Sequence, residues 1–394
     1  MTCTGMRSVR FGVALLLGGT VAAGACTRDA REDPPSVAPT VVAVLPLTGD
    51  LAALGNPKRE AIQLALDDLR RENPGTAFDV KFQDSRGNPT DGISALRQGA
   101  TLNNAKVAFV DLTPVVAASV PVADELGVLT FAGSAQAGIT QRSTSMFRVF
   151  PGGDQEVQLI GDHLRSTGVK TLFIIHTNEL YGRSVNDLIR AQAPSWGVNV
   201  VGNDEYALSD SDFRLQLTKA RESGAEKIAL MGYGTKYEVI LSQARELGLP
   251  ATRFVANLGA VNATMLALPA ELTEGLVFAG PAFAYRAAHP DSFPRVAEFT
   301  QRYRQRFNRN PDFRVAFIYD TFMLLANSWQ GVTTVDSLRS RLARVNGYDG
   351  VSGRISMNEN RDATVEMMLA EYRGGKVVPW RAPAPNAVAA APAR

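Results

Sequence analysis

The chain has 394 residues, of which 45% are hydrophobic and 8% aromatic, and only two are cysteines. That length exceeds the usual domain of about 100–200 residues and supports two cores. Its 41 basic and 39 acidic residues leave a net charge of +2, without the basic excess that nucleic-acid binding needs, and two cysteines cannot build a disulfide framework.

Residues 1–25 read as a secretory signal. Arg7 and Arg10 precede the apolar run Phe11 to Leu17, and the small residues Gly18, Gly19, Ala22, Ala23, Gly24 and Ala25 follow. The apolar core is too short to span a bilayer. Ala23-Gly24-Ala25-Cys26 resembles the lipobox of bacterial lipoproteins, with Ala23 where Leu is more usual. Cys26 is then the lipidated first residue of the mature chain. Met6 is a second possible start, which would remove Cys3. No later segment approaches a membrane-spanning length, so the lipid is the expected sole membrane attachment.

Residues 26–39 carry mixed charge and then Pro34, Pro35 and Pro39, the composition of an extended tether. Residues 381–394, mostly Ala and Pro, read as a solvated tail. Between these ends, short apolar runs alternate with amphipathic stretches, the pattern of parallel sheets covered by helices. Val41 to Leu45 is a strand, and Pro57 to Arg70 places Ala61, Leu64, Ala65, Leu66 and Leu69 on one helical face. Val80 to Gln83 is the next strand, closed by the turn Asp84-Ser85-Arg86-Gly87-Asn88-Pro89. Helix 90–102, strand 106–111, helix 114–126 and strand 128–132 complete the first series. The second runs through helix 154–166, strand 170–175, helix 181–194, strand 198–206, helix 211–222, strand 226–231, helix 235–247 and strand 252–256. Two such series predict two similar lobes.

Over roughly residues 40–380 the chain resembles the type I periplasmic solute-binding proteins, in particular the leucine/isoleucine/valine-binding branch serving ABC transporters. The resemblance rests on Leu45-Pro46-Leu47-Thr48-Gly49 followed by Gly55, on Pro121 to Val128 leading to Gly133-Ser134-Ala135, and on Tyr181-Gly182 after His176. It continues through Asp212-Phe213, Gly232-Tyr233-Gly234, Gln243 to Leu249, Glu274-Gly275-Leu276 and Tyr319-Asp320. It implies an α/β fold of two doubly wound parallel-sheet lobes joined by a three-crossover hinge. Residues 40–151 plus 283–330 would form lobe one, and residues 152–282 plus 331–380 lobe two. It also implies a solute held between the lobes and passed to a permease by a monomer that uses no cofactor. Small molecules bind such sheets beyond the carboxyl ends of the strands, where helix N-termini suit an anion.

Candidate contacts fall at those strand ends. Thr113 precedes a helix, where its hydroxyl suits an anionic oxygen. Ser134, Ala135 and Gln136 belong to a loop of small residues that lets backbone approach a ligand; the resembling family places a Thr side chain near position 136. Tyr181 and Tyr233 either cap the apolar part of a ligand or pack as cleft wall. Asn257 stands in the loop 256–260, where amino-acid binders of the family carry an acid and this chain carries none. A buried ammonium needs an anion, so a zwitterion would have to use Asp111 or Glu179. The missing acid otherwise points to an organic acid, an amide or a larger apolar solute.

No catalytic site or metal site is expected. His163, His176 and His289 have no metal-type spacing, and there is no Gly-x-Ser-x-Gly elbow or Walker loop. The Asp84 turn lacks the bidentate Glu of a calcium loop. The basic run Arg302-Tyr303-Arg304-Gln305-Arg306 with Arg309 reads as a solvated helical face. The expected protein is an extracytoplasmic solute-binding lipoprotein of periplasm or cell surface. The other reading from sequence is an envelope lipoprotein that regulates a cell-wall enzyme or sensor with the same fold.

Overall fold

The computed structural model describes residues 38–72 and 78–382. The signal, Cys26, most of the tether and the tail from 383 onward lie outside these residues.

Five parallel strands form the first sheet: β1 (Val41–Leu45), β2 (Val80–Asp84), β3 (Val107–Asp111), β4 (Leu129–Gly133) and β5 (Met146–Arg148), in the order β2-β1-β3-β4-β5. The run Val-Val-Ala-Val-Leu of β1 is buried throughout, as a strand covered on both faces requires. Helices α1 (Ala52–Glu72), α2 (Pro89–Leu102) and α3 (Thr113–Leu126) make the crossovers. Asn88 caps α2, its side chain accepting from the N–H of Thr90 at 2.8 Å with Pro89 at the first helical position.

The second sheet has seven strands. β6 (Thr171–Thr177), β7 (Asn199–Tyr206), β8 (Lys227–Met231), β9 (Phe254–Ala256) and β10 (Val277–Pro281) run parallel, connected through α4 (Gly153–Ser166) before β6, then α5 (Leu180–Gln192), α6 (Arg214–Glu222) and α7 (Tyr237–Glu246). After the short helices α8 (Ala263–Leu266), α9 (Ala270–Thr273) and α10 (Phe283–Ala287), α11 (Pro294–Phe307) and α12 (Phe313–Trp329) pack against α1. Beyond α13 (Val335–Leu342) the chain forms a small antiparallel sheet of β11 (Tyr348–Asp349), β12 (Arg354–Met357) and β13 (Ala363–Thr364). It then adds the hairpin β14 (Met367–Arg373) and β15 (Lys376–Pro379), antiparallel to β10, to the edge of the second sheet. Gly374 and Gly375, both at positive φ, close that hairpin. This mixed edge and the small antiparallel sheet depart from an all-parallel pair of lobes.

Three local expectations shift. Helix α1 begins at Ala52 rather than at Pro57, because Gly55 lets the helix start lie against the carbonyl of Pro46, where a Cβ would come within 2.0 Å of the oxygen. Helix α6 begins at Arg214 rather than 211, since Asp212 turns back to accept from the Arg214 N–H at 3.1 Å. The basic run is not simply solvated: Arg302 and Arg306 of α11 donate to Asp68 at 2.7 Å and Asp67 at 3.3 Å, and Arg309 just beyond it to Glu60 at 2.9 Å, tying this segment to α1.

Asp320, inside α12, is buried and accepts from the N–H groups of Val351 and Ser352 at 2.9 and 2.7 Å. It fastens the returning segment to the helix; burial raises its pKa to about 6 despite those bonds.

Candidate functional site

A cavity that draws on both sheets lies beyond the carboxyl ends of their strands; it is tight, with a volume of about 50 Å³, smaller than the usual small-molecule site. From the first sheet come Asp111, Leu112 and Thr113 at the end of β3 and Gly133 and Ala135 at the end of β4; from the second come Tyr181 after β6, Gly232 and Tyr233 after β8, and Leu258 after β9. Leu54 and Lys58 of α1, Phe150 and Arg314 complete the wall.

The first-sheet side carries charge. Lys58 and Asp111 are both buried, and the Lys58 ammonium donates to the two Asp111 oxygens at 2.6 and 2.5 Å. Burial pushes the Lys58 pKa down while Asp111 pulls it back up. The Phe150 ring lies 5.8 Å from the Lys58 nitrogen. Gly133 makes the pair possible, since a Cβ there would stand 2.6 Å from the Asp111 carboxylate. Next in the chain, Leu112 holds φ 73° and ψ 132°, a strained conformation for leucine that costs about 1–3 kcal/mol. The Leu112 N–H donates to Gly133 at 3.1 Å, which anchors the kink and aims Thr113 into the cavity. The N–H of Gln136 donates to the Ser134 hydroxyl, which donates to the Thr113 hydroxyl, both at 3.1 Å. Ser134 is the hydroxyl's one side-chain partner, so Thr113 has hydrogen-bonding capacity left for a ligand oxygen.

The second-sheet side is aromatic and cross-braced. Tyr181 and Tyr233 stack with ring centroids 5.4 Å apart at 22°. The Tyr181 hydroxyl donates to Glu156 of α4 at 2.8 Å and accepts from the Asn257 amide. Asn257 also donates to the Gly232 carbonyl at 2.8 Å and accepts from Tyr237 at 2.7 Å and from the Gly259 N–H at 3.1 Å. Glu156 is wholly buried, and one of its oxygens has no partner. Burial lifts its pKa to about 8, so the carboxyl is mostly protonated at neutral pH. The Tyr233 hydroxyl is buried without a partner.

Of the residues read from sequence, Thr113, Ala135, Tyr181 and Tyr233 meet in the cavity wall. Ser134 stands behind Thr113, Gln136 reaches the wall only through its N–H to Ser134, and Asn257 lies one layer back with its side chain committed to Tyr181, Gly232, Tyr237 and Gly259. The anion considered at Asp111 is already paired with Lys58. Lys58 and Arg314 were missed. Lys58 was read as part of a helix start, and Arg314 comes from a segment far along the chain; neither carries a local signal. His176 is buried with Nδ1 2.9 Å from the Thr177 carbonyl oxygen, outside the wall. Among the described residues no group of three or more His, Cys, Asp or Glu could hold a metal, and no helix is long and apolar enough to cross a membrane.

A family model described as periplasmic binding protein matches residues 39–376. The chain belongs to that family. Its members are binding proteins rather than enzymes, and they work outside the cytoplasm. It is similar to a Leu/Ile/Val-binding protein homolog of Brucella melitensis, 27% identical over 220 residues, or 54% of this chain and 59% of the relative, so the match spans about three-fifths of that protein. Among solved structures it is similar to the branched-chain amino acid transporter substrate-binding protein LivJ of Streptococcus pneumoniae with isoleucine, at TM-score 0.76 and 21% identity over 86% of this chain and 97% of the other. It is also similar to an ABC-transporter solute-binding protein of Rhodopseudomonas palustris with 3,4-dihydroxybenzoic acid, at TM-score 0.77 and 20% identity over 86% and 94%. The fold of the type I solute-binding proteins is thus shared across nearly the whole of both structures.

Proposed function

We propose that this periplasmic binding protein is a lipid-anchored solute-binding component that captures a small amino acid, organic acid or amide between its two lobes and hands it to an ABC permease. The observation that carries the reading is one cavity walled on one side by the Thr113 hydroxyl and on the other by the stacked Tyr181 and Tyr233 pair. A solute bound there touches both sheets, so closure of the lobes would bury it and mark the loaded state. The two main sheets, with α12 packed on α1 and the hairpin β14–β15 joined to β10, support residues 40–151 with 283–330 as one lobe and residues 152–282 with 331–380 as the other, with β11 to β13 forming a sheet of their own. Isoleucine in one structural relative and a dihydroxybenzoic acid in another mark the range of solutes to test. Cys26 supplies the proposed lipid anchor, and Cys26→Ser should release the protein from membranes without changing solute affinity.

A thermal-shift screen of the purified protein against aliphatic and aromatic amino acids, their deaminated acids and their amides tests the reading. A ligand at about 100 times its dissociation constant adds roughly 2.7 kcal/mol of stability. A saturable shift supports solute binding; a flat response to the whole panel overturns it.

A further inference from the structure

Lys58 changes what the cleft can accept. The three ionic side chains of the cavity wall are Lys58, Asp111 and Arg314, two cations and one anion. Asp312 lies outside the wall and occupies Arg314, accepting from its Nε at 2.9 Å. The only carboxylate in the wall is held through both oxygens by Lys58, at 2.6 and 2.5 Å, with both side chains at most 4% exposed. A ligand ammonium seeking Asp111 would have to enter beside the Lys58 ammonium, and two like charges in a dry site repel strongly. The loop after β9, residues 257–260, offers no replacement acid, and its polar side chain, Asn257, is already spent on Tyr181, Gly232 and Tyr237. Glu156 is closed off behind Tyr181. Glu179 is only partly buried and outside the wall; it stands near the Tyr233 hydroxyl with one oxygen buried and unpartnered.

We infer that Lys58 is a built-in ammonium: it fills the place a zwitterion's amine would take on Asp111 and makes the cleft selective for monocarboxylic organic acids that carry no amine. This rests on the proposed solute-binding function and narrows its ligand class. The carboxylate would lie between Lys58, Arg314 and the Thr113 hydroxyl, and a compact apolar or aromatic body would lie against Phe150, Tyr181 and Tyr233. Lys58 with Asp111 and Arg314 with Asp312 already cancel in charge, so the acid would be held by the N–H donors these cations keep, whereas a zwitterion would bring an ammonium with no free carboxylate in the wall.

Isothermal titration of the purified protein with two matched sets tests this: 3-phenylpropanoate, L-phenylalanine and 3-phenylpropanamide, then 4-methylpentanoate, L-leucine and 4-methylpentanamide. At least one acid should bind about tenfold or more tighter than its amino acid and its amide. In Lys58→Met, which leaves the Asp111 carboxylate open to a ligand ammonium, the acid should weaken by about tenfold or more and the order of acid and amino acid should reverse. Should that variant misfold around its buried carboxylate, Lys58→Met with Asp111→Asn keeps the site neutral and should bind acid and amide within about threefold. Amino acid bound as tightly as acid by the natural protein, or an acid preference that survives in either variant, overturns the role of Lys58 while leaving solute binding intact. Binding of none of the six probes overturns both.

Discussion

The two walls of the cleft are built on different principles. On the first-sheet side, polar groups converge on the cavity: the Thr113 hydroxyl, and Lys58 and Arg314, each already paired with a carboxylate but lining the space. On the second-sheet side, most polar groups bond one another, with Glu156, Tyr181, Asn257 and Tyr237 linking α4, α5, the loop after β9 and α7, while one Glu156 oxygen and the Tyr233 hydroxyl stay unpartnered. The first wall is therefore arranged to recognise and the second to hold a shape against which something apolar can lie. Damage to the second wall should appear as lost stability, and damage to the first as lost affinity in a fold that stays intact.

Tyr181→Ala should show the contrast most strongly. It opens a hole in a fully packed region and strips Glu156 and Asn257 of their shared partner, for an expected loss of about 3–5 kcal/mol in denaturant unfolding. Thr113→Val keeps the shape and removes only the donor; affinity for an acidic solute should fall by about 1.5–3 kcal/mol with the unfolding midpoint nearly unchanged. Equal loss of stability in the two variants would erase the distinction between the walls.

Glu156 gives the second wall a pH signature. Its folded pKa of about 8 lies above the ordinary 4.5, so between those values the folded state binds the extra proton and stability falls as pH rises. Buried His163, beside the Trp380 ring and lowered from 6.5 to about 4, acts oppositely and only below 6.5, while Asp320 has finished its contribution by about pH 6. Glu156→Gln should therefore remove about 2 kcal/mol of the decline in unfolding free energy between pH 6.5 and 8. A decline as steep in the variant as in the natural protein would show that the carboxyl is ionised in the fold. The smallest effect belongs to Tyr233→Phe. The hydroxyl removed stands near Glu179 without a hydrogen bond of ordinary geometry, so stability should stay within about 0.5 kcal/mol; a larger drop in the thermal midpoint would mean that Glu179 holds this oxygen.

How much of this was readable from the chain depended on whether the signal was local. Apart from β5, which is three residues long, the strands from Val41 to Ala256 announce themselves as short apolar runs between turn residues, and the family motifs place Thr113, Ala135, Tyr181 and Tyr233 at strand ends that the fold brings together. The hairpin β14–β15 and the small sheet β11 to β13 were not anticipated; they are short and pair across long separations. Lys58 was hidden for a related reason. A lysine one residue after a proline looks like an ordinary helix-start residue, and only the pairing of β1 with β3 and the bare Cα of Gly133 show that it meets Asp111, 53 residues later, in a dry cavity. Asn257 shows the converse, a polar residue at a ligand-binding loop position whose hydrogen bonds are all taken by neighbours.

A crystal structure of the protein with whichever probe gives the largest thermal shift tests the two-walled cleft most directly. The account predicts the solute between the sheets, with a polar oxygen within about 3 Å of the Thr113 hydroxyl and its apolar body against Tyr181 and Tyr233. A solute seated elsewhere, with this cavity filled by the protein's own side chains, would contradict it.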